Sequence, residues 1–253
     1  MKPATLALIG AALLGIAPAA YAADAANNGT DPTQLTTQAQ ATWERLDLNG
    51  GFRSDSLKLN YTVPLGEKRD WSVRYRVPLA SVDVLGNDGY GLGDASVQVA
   101  HVFGLSRQGG WVAQGEMILD TASRDELGTG KNVLKGTLIK AWFLKDGAIF
   151  APALVHSESL WGDDRRRDVR ATTMDFYYVP KLKDSRNLVT IDPSINQDWE
   201  NDRTFLGLAV TYGRVLGPAF GGTGIVTIKP SVFAGDGRPG DWGLEVGYKV
   251  LGF

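Results

Sequence analysis

The sequence predicts an all-β protein, a transmembrane antiparallel β-barrel of about twelve strands. Three observations lead to this fold class: an alternating final segment, an export signal, and connections that alternate between short and long. From Trp242 to Phe253, apolar side chains occupy every second position up to Val250, with Glu245 and Lys249 on the other parity. This period of two indicates a strand whose faces meet different environments. Tryptophan and tyrosine near its ends match the aromatic girdles of membrane barrels.

The N-terminus has the organisation of a secretory signal peptide. A short basic start precedes a largely apolar run over residues 4–16 and the small-residue cleavage site Ala20-Tyr21-Ala22. The run is shorter than the ~20 residues that a spanning helix needs, which argues against an uncleaved anchor. We therefore assign residues 1–22 to a signal peptide, residues 23–36 to a flexible periplasmic lead-in, and residues 37–253 to the barrel.

Composition narrows the class of protein further. The chain has 31 glycines and 7 tryptophans, which suit an all-β protein with many turns better than a helical one. It has no cysteine, so an exported protein of this size depends on a core or a membrane rather than on disulfides. A formal net charge of −2 without a long basic run gives no basis for nucleic-acid binding. With 2 histidines and no cysteine, we expect neither a metal site nor a cofactor.

Alternating segments define the strands in the first half of the chain. Residues 37–48 form a weak first strand. The next four strands have largely apolar faces made of every second residue, from Leu57 to Leu65, Trp71 to Leu79, Ala95 to Phe103, and Trp111 to Leu119. The intervening positions are mainly polar, as expected when one face meets lipid and the other a lumen.

The second half of the chain continues this pattern with one ambiguity. Residues 134–145 and 148–160 are apolar on both parities, which predicts either a bulge or an inner face that packs against a plug. Three further apolar faces run from Met174 to Tyr178, Leu206 to Tyr212, and Val226 to Val232. The final strand follows them at the C-terminus.

The connections carry independent information, because short and long segments alternate. The short, polar or Gly-rich turns are 66–70, 106–110, 145–147, 181–187 and 216–222, and the mostly longer connections between them are 86–93, 122–133, 161–168, 193–202 and 235–241. This alternation is typical of periplasmic turns and extracellular loops, whereas a soluble β-sandwich has no reason for it. The sequence therefore predicts location in the bacterial outer membrane. Its expected partners are outer-membrane lipid and, through the C-terminal strand, the barrel-assembly machinery.

Polar side chains on the parity opposite the apolar faces are predicted to point into the lumen. The main candidates are Lys58, Arg74, Arg76, Gln114, Glu116, His156, Glu158, Lys229 and Glu245, and the same reasoning adds Gln98, Asp120, Arg170 and Lys249. Both signs of charge occur, so these groups either pair and fill the lumen or line a passage for a small-molecule solute. Arg74, Arg76 and Lys58 form the one same-sign cluster, which favours anionic solutes.

Two other functions remain open at this point: an outer-membrane lipid hydrolase and a structural barrel with a filled lumen. A hydrolase needs a nucleophile within hydrogen-bond reach of a base. His101 falls on an apolar face, and Ser157 and Ser159 lie on the face opposite His156 in a regular strand. The sequence therefore favours a channel over an enzyme, with no catalytic residues.

Several short motifs resemble a known family of outer-membrane proteins. They are Gly91-Leu92-Gly93-Asp94, Asp120-Thr121, Glu126 to Lys131, Asp192-Pro193 with Asp198-Trp199-Glu200, and the ending from Asp241 to Phe253. In this order they resemble the family grouped as the meta-pathway of phenol degradation, whose members are often labelled transporters. The resemblance covers residues 75–253.

The resemblance implies a channel or transporter for small, hydrophobic or aromatic molecules. A pocket for such a solute is expected to mix aromatic and polar groups. The aromatic candidates are Trp142, Phe150 and Tyr177, beside Arg74 and Glu116.

Overall fold

The computed structural model describes residues 28–83 and 89–253. The signal peptide proposed for residues 1–22 lies outside the described residues. Within them the strands are β1 (Gln38–Leu48), β2 (Phe52–Leu65), β3 (Trp71–Val82), β4 (Gly91–Leu92), β5 (Ser96–Ser106), β6 (Gly109–Ile118), β7 (Lys131–Phe143), β8 (Ile149–Gly162), β9 (Arg170–Val179), β10 (Asn187–Asp198), β11 (Arg203–Ala219), β12 (Gly222–Ala234) and β13 (Gly240–Leu251).

The strands form one closed antiparallel barrel. Apart from β4 and β5, strands adjacent in sequence pair with each other, and β1 pairs with β13, which closes the sheet. The short β4 and the longer β5 follow each other along one edge of β3, so together they occupy one position in the barrel. The barrel therefore has twelve strand positions, which confirms the predicted fold class.

The outer face of the barrel is apolar because of the period-two alternation. Leu59, Tyr75 and Leu208 point outward and remain 44%, 50% and 43% exposed. An apolar outer face of this kind is stable in lipid, and a closed sheet leaves no backbone edge unpaired there. The protein is therefore a bacterial outer-membrane barrel. Among residues 28–83 and 89–253, no helix is long and apolar enough to cross a membrane.

The predicted alternation of connections is only partly correct. At the periplasmic end, the turns 107–108 and 220–221 have two residues each, and the extracellular connection 119–130 has twelve. The predicted long loop 193–202 is wrong, because β10 continues to Asp198 and leaves only 199–202 as a connection. Its polar residues resemble a loop in sequence, but they alternate with outward-facing apolar ones. The predicted connection 86–93 lies partly outside the described residues.

A bulge and a plug both account for the ambiguous segments in the second half. The pairing of β7 with β8 shifts in register between Asn132 and Val133. On the inner face, Ile139 of β7 packs with Leu35 against a cluster formed by Ala100, Val102 and Val112. Leu35 precedes β1, so the chain ahead of the barrel lies inside the lumen.

Residues 28–36, which we call the N-terminal segment, form this plug at the periplasmic end. Thr30 and Thr33 are only 8% and 7% exposed, and the Tyr177 hydroxyl donates a hydrogen bond to the Thr30 carbonyl at 3.2 Å. The Asp31 carboxylate accepts hydrogen bonds from the Thr33 backbone N–H and hydroxyl at 2.9 and 2.7 Å. Within the predicted lead-in, residues 28–36 therefore contact the lumen, because a polar lumen supplies partners for a polar segment.

Candidate functional site

The candidate functional site is a series of three cavities along the lumen. The central cavity has a volume of about 430 Å³ and lies between Arg74 of β3 and Asp175 of β9. A second cavity of about 310 Å³ shares Asp175 and Asp192 with the first and extends to β1, β12 and β13. A third, of about 200 Å³, shares Arg74 and Tyr177 with the first and is bounded by the N-terminal segment.

The structure places most of the predicted lumen residues inside the barrel. The central cavity is lined by Arg74, Arg76, Gln98, Gln114 and Glu116. The second cavity is lined by Lys229 and Glu245, and also by Glu44, which forms an ion pair with Lys58. Lys249 lies beside the N-terminal segment, since a side chain added at Gly29 would come within 2.7 Å of its Nζ.

Three predicted lumen residues lie instead on the outer face. His156 and Glu158 of β8 have side chains that are 47% and 58% exposed, and they share their parity with Leu154. The lumen-facing residues of β8 are apolar too. The polar residues of this strand therefore did not identify the face that points inward. Arg170 pairs with Glu158 across β8 and β9 and is also outside. Asp120 lies in the connection after β6.

The predicted aromatic pocket is only partly present in the lumen. Trp142 and Phe150 stack at a ring-centroid distance of 5.8 Å on the outer face, where Trp142 is 41% exposed. Tyr177 lines the central cavity. The two outer rings belong to the apolar surface at the periplasmic end of β7 and β8, where aromatic residues suit the membrane interface.

One side of the lumen is basic. The Glu116 side chain, which is 2% exposed, forms ion pairs with Arg76 at 3.2 Å and with Lys135, and accepts a hydrogen bond from the Ser96 hydroxyl at 2.6 Å. Arg74 donates to the Thr62 hydroxyl at 3.2 Å. We call Arg74, Arg76, Lys135 and Glu116 the basic wall, because three positive charges face one negative charge.

The other side of the lumen is acidic. Asp175 and Asp192 lie on adjacent strands β9 and β10 and line the central cavity. Lys229 pairs with Glu245 at 3.0 Å, and Lys58 pairs with Glu44. The acidic wall, as we name it, consists of Glu44, Lys58, Asp175, Asp192, Lys229 and Glu245, with four negative charges and two positive ones.

Sequence reasoning missed both aspartates of the acidic wall. Asp175 lies between the outward-facing Met174 and Phe176. The alternation of faces therefore predicts that Asp175 points into the lumen. Asp192 immediately precedes Pro193, the first residue of the predicted loop 193–202. Because β10 continues through this proline, Asp192 faces the lumen instead.

At the extracellular end, Asp94 organises the connection 119–130. Its carboxylate accepts backbone hydrogen bonds from Thr121 and Ala122, both at 3.2 Å, and from Thr129 at 2.7 Å. A side chain added at Gly93 would come within 3.2 Å of the Leu127 carbonyl, so the connection packs tightly against the barrel here. These contacts give a structural role to three of the motifs described above, Gly91 to Asp94, Asp120-Thr121 and Glu126 to Lys131.

The connection between β8 and β9 holds the connection 119–130 in place. Arg166 donates hydrogen bonds to the carbonyls of Asp125 and Gly128 at 2.8 and 2.7 Å. Lys131 lies 2.9 Å from the Asp168 carboxylate. Hydrogen bonds from Lys131 and Ser159 lower the pKa of Asp168, so this ion pair persists in mildly acidic medium. The extracellular mouth is therefore bordered by loops that are fixed to each other.

Solved porin structures share this architecture. The KdgM porin, in complex with disordered oligogalacturonate, superposes with a TM-score of 0.54 at 12% identity, over 84% of this chain and 98% of that chain. The NanC porin gives a TM-score of 0.54 at 12% identity, over 86% and 99% of the two chains. No protein-family model and no curated protein matches the sequence. By fold, the protein is a porin-like outer-membrane barrel.

Proposed function

We propose that the protein is an outer-membrane channel for small solutes. The observation that carries the proposal is the series of cavities between two charged walls inside an apolar outer surface. Ionised groups without partners are costly in a dry interior, so such a lumen holds water or a polar solute. The N-terminal segment narrows the periplasmic end, which favours a narrow, selective conduit over a general porin.

The proposed solutes are small molecules with an apolar or aromatic part. Ile139, Ala153 and Val155 form an apolar strip in the central cavity, and Tyr177 adds an aromatic ring. Pockets of this kind combine apolar surface with a few polar groups that orient the ligand. The resemblance to the meta-pathway of phenol degradation family supports the same class of solute.

Single-channel recording tests the channel directly. In planar bilayers we expect discrete conductance steps with weak ion selectivity, because the two walls carry opposite charge. Arg74→Gln is expected to shift the reversal potential towards cation selectivity and Asp192→Asn towards anion selectivity. Glu158→Gln is the matched control, because this carboxylate lies on the outer face and is expected to leave the selectivity unchanged. A folded protein that never conducts would indicate a filled lumen instead.

A second candidate, a lipid hydrolase, has one observation in its favour. On the lipid-facing side, His156 Nδ1 lies 2.9 Å from the Thr172 hydroxyl oxygen, and His156 Nε2 lies 3.9 Å from the Glu158 carboxylate. The hydroxyl group is thus supplied by the neighbouring strand rather than by Ser157 or Ser159. Phospholipid hydrolysis that is lost in His156→Ala would favour this candidate over a channel without enzymatic activity.

A further inference from the structure

Three titratable groups that line the central cavity form no ion pair within the described part of the barrel. Among the described residues, none of the ion pairs includes Arg74, Asp175 or Asp192. The Asp192 Oδ1 atom is also buried, and it has no hydrogen-bond partner among the described residues. Within the same part of the chain, the Arg74 side chain has one hydrogen bond, which it donates to the Thr62 hydroxyl. Groups of this kind are costly to leave unpaired, so they suit a ligand that supplies the missing charges.

The unpaired groups of opposite sign face each other across the barrel. Arg74 is on β3, whereas Asp175 and Asp192 are on β9 and β10, five and six positions further around the twelve-position ring. A twelve-stranded barrel with ordinary strand spacing and tilt has a backbone diameter of about 24 Å. Once the side chains are subtracted, the opposed charges are separated by on the order of 10 Å.

We infer that the channel takes a small zwitterion with an apolar body, about as long as a tripeptide. Its anionic end would bind Arg74, and its cationic end would bind Asp175 and Asp192. Three extended residues span roughly 10 Å, which matches the separation of the walls. The apolar strip beside Tyr177 would contact the middle of the molecule. This inference rests on the proposed channel function and specifies its solute class.

Other solute classes fit the cavity less well. A free α-amino acid carries both charges too close together to reach both walls. An anion alone would leave the two aspartates unpaired, and a neutral aromatic molecule would leave all three groups unpaired. A zwitterion with separated charges satisfies both walls at once, which is the complementarity that ionised sites favour.

Charge-capped forms of one peptide test the inference. The probes are alanyl-phenylalanyl-alanine with free termini, its N-acetyl form, its C-terminal amide, and free phenylalanine. Binding is measured by calorimetry on the folded full-length protein in detergent and by block of the ion current. We expect each cap to weaken binding about tenfold or more, because each removes one charge-assisted contact. Free phenylalanine is expected to bind no better than the capped forms.

The variants assign each end of the peptide to a wall. In Asp192→Asn the preference for the free N-terminus over its acetylated form should fall, and in Arg74→Gln the preference for the free carboxylate over the amide should fall. Glu158→Gln should preserve both preferences. Equal binding of all peptide forms to a conducting channel would overturn the inference and leave the channel intact. Charge-dependent binding without any conductance would instead reject the channel function while retaining the binding site.

Discussion

Val246→Arg is expected to impair membrane insertion severely. Val246 lies in the middle of β13, points outward and is 39% exposed, with Trp43 and Ile228 beside it on the neighbouring strands. A basic side chain on the lipid face near the bilayer midplane costs roughly 2–4 kcal/mol. Folding into lipid vesicles, followed by the heat-dependent shift in gel migration, measures the folded fraction and its stability in urea.

Glu245→Arg is the matched control at the adjacent position. Glu245 faces the lumen, where it pairs with Lys229 at 3.0 Å and lies opposite Glu44 in register. An arginine there loses the contact with Lys229 but meets the Glu44 carboxylate, so we expect a much smaller loss of folded protein. If both variants insert equally well, the inward and outward faces of β13 have been assigned wrongly.

Removal of the N-terminal segment is expected to increase conductance several-fold. Residues 28–36 occupy the periplasmic end of the lumen, where Leu35 packs on the apolar cluster and Pro32 borders the central cavity. Deleting them is expected to open the cavities to the periplasm and to widen the periplasmic end of the path. Single-channel recordings of the deletion variant and of the full chain provide the comparison. An unchanged conductance would show that the segment is not in the path of the ions.

A disulfide tests the same segment without a deletion. A side chain added at Gly110 would come within 3.4 Å of the Thr33 methyl carbon, so Thr33→Cys with Gly110→Cys suits a disulfide bond. The chain has no other cysteine to interfere. We expect the oxidised variant to keep the low conductance of the full chain. The control is Thr33→Cys with Gly115→Cys, because Gly115 lies on the same strand but faces outward, and this pair should not form the bond.

The alternation of apolar and polar residues predicted the fold, but it predicted the residues that line the lumen only in part. Strands such as β2 and β13 bury one polar face and expose one apolar face, so parity correctly separated Glu245 from Val246. In β8 this rule failed, because Val155 faces the lumen while His156 faces outward. Polarity identifies the inner face only where that inner face is polar. Where a lumen is locally apolar, the contrast between the two faces disappears.

The plug was indicated by the strand residues that it contacts and not by its own sequence. Apolar residues on both faces of β7 predicted either a bulge or an inner face packed against a plug, and Ile139 packs there with Leu35. The N-terminal segment itself has the polar composition of a linker, because most of its partners are polar, such as the Tyr177 hydroxyl. The sequence did not identify Asp192 as a lumen residue either, because an Asp-Pro pair resembles a turn wherever it occurs.

The seam between β1 and β13 has a consequence for the order of assembly. These strands are the first and last of the barrel, so β1 remains an open edge until β13 pairs with it. The N-terminal segment is joined directly to β1 and can settle among the nascent strands while the wall is still open. Closure of the wall between β1 and β13 would then enclose the plug, so the segment would not have to thread through a finished cylinder. A barrel that has not yet added β13 would expose two unpaired strand edges and a plug that no wall encloses. That stage is therefore the most vulnerable to aggregation.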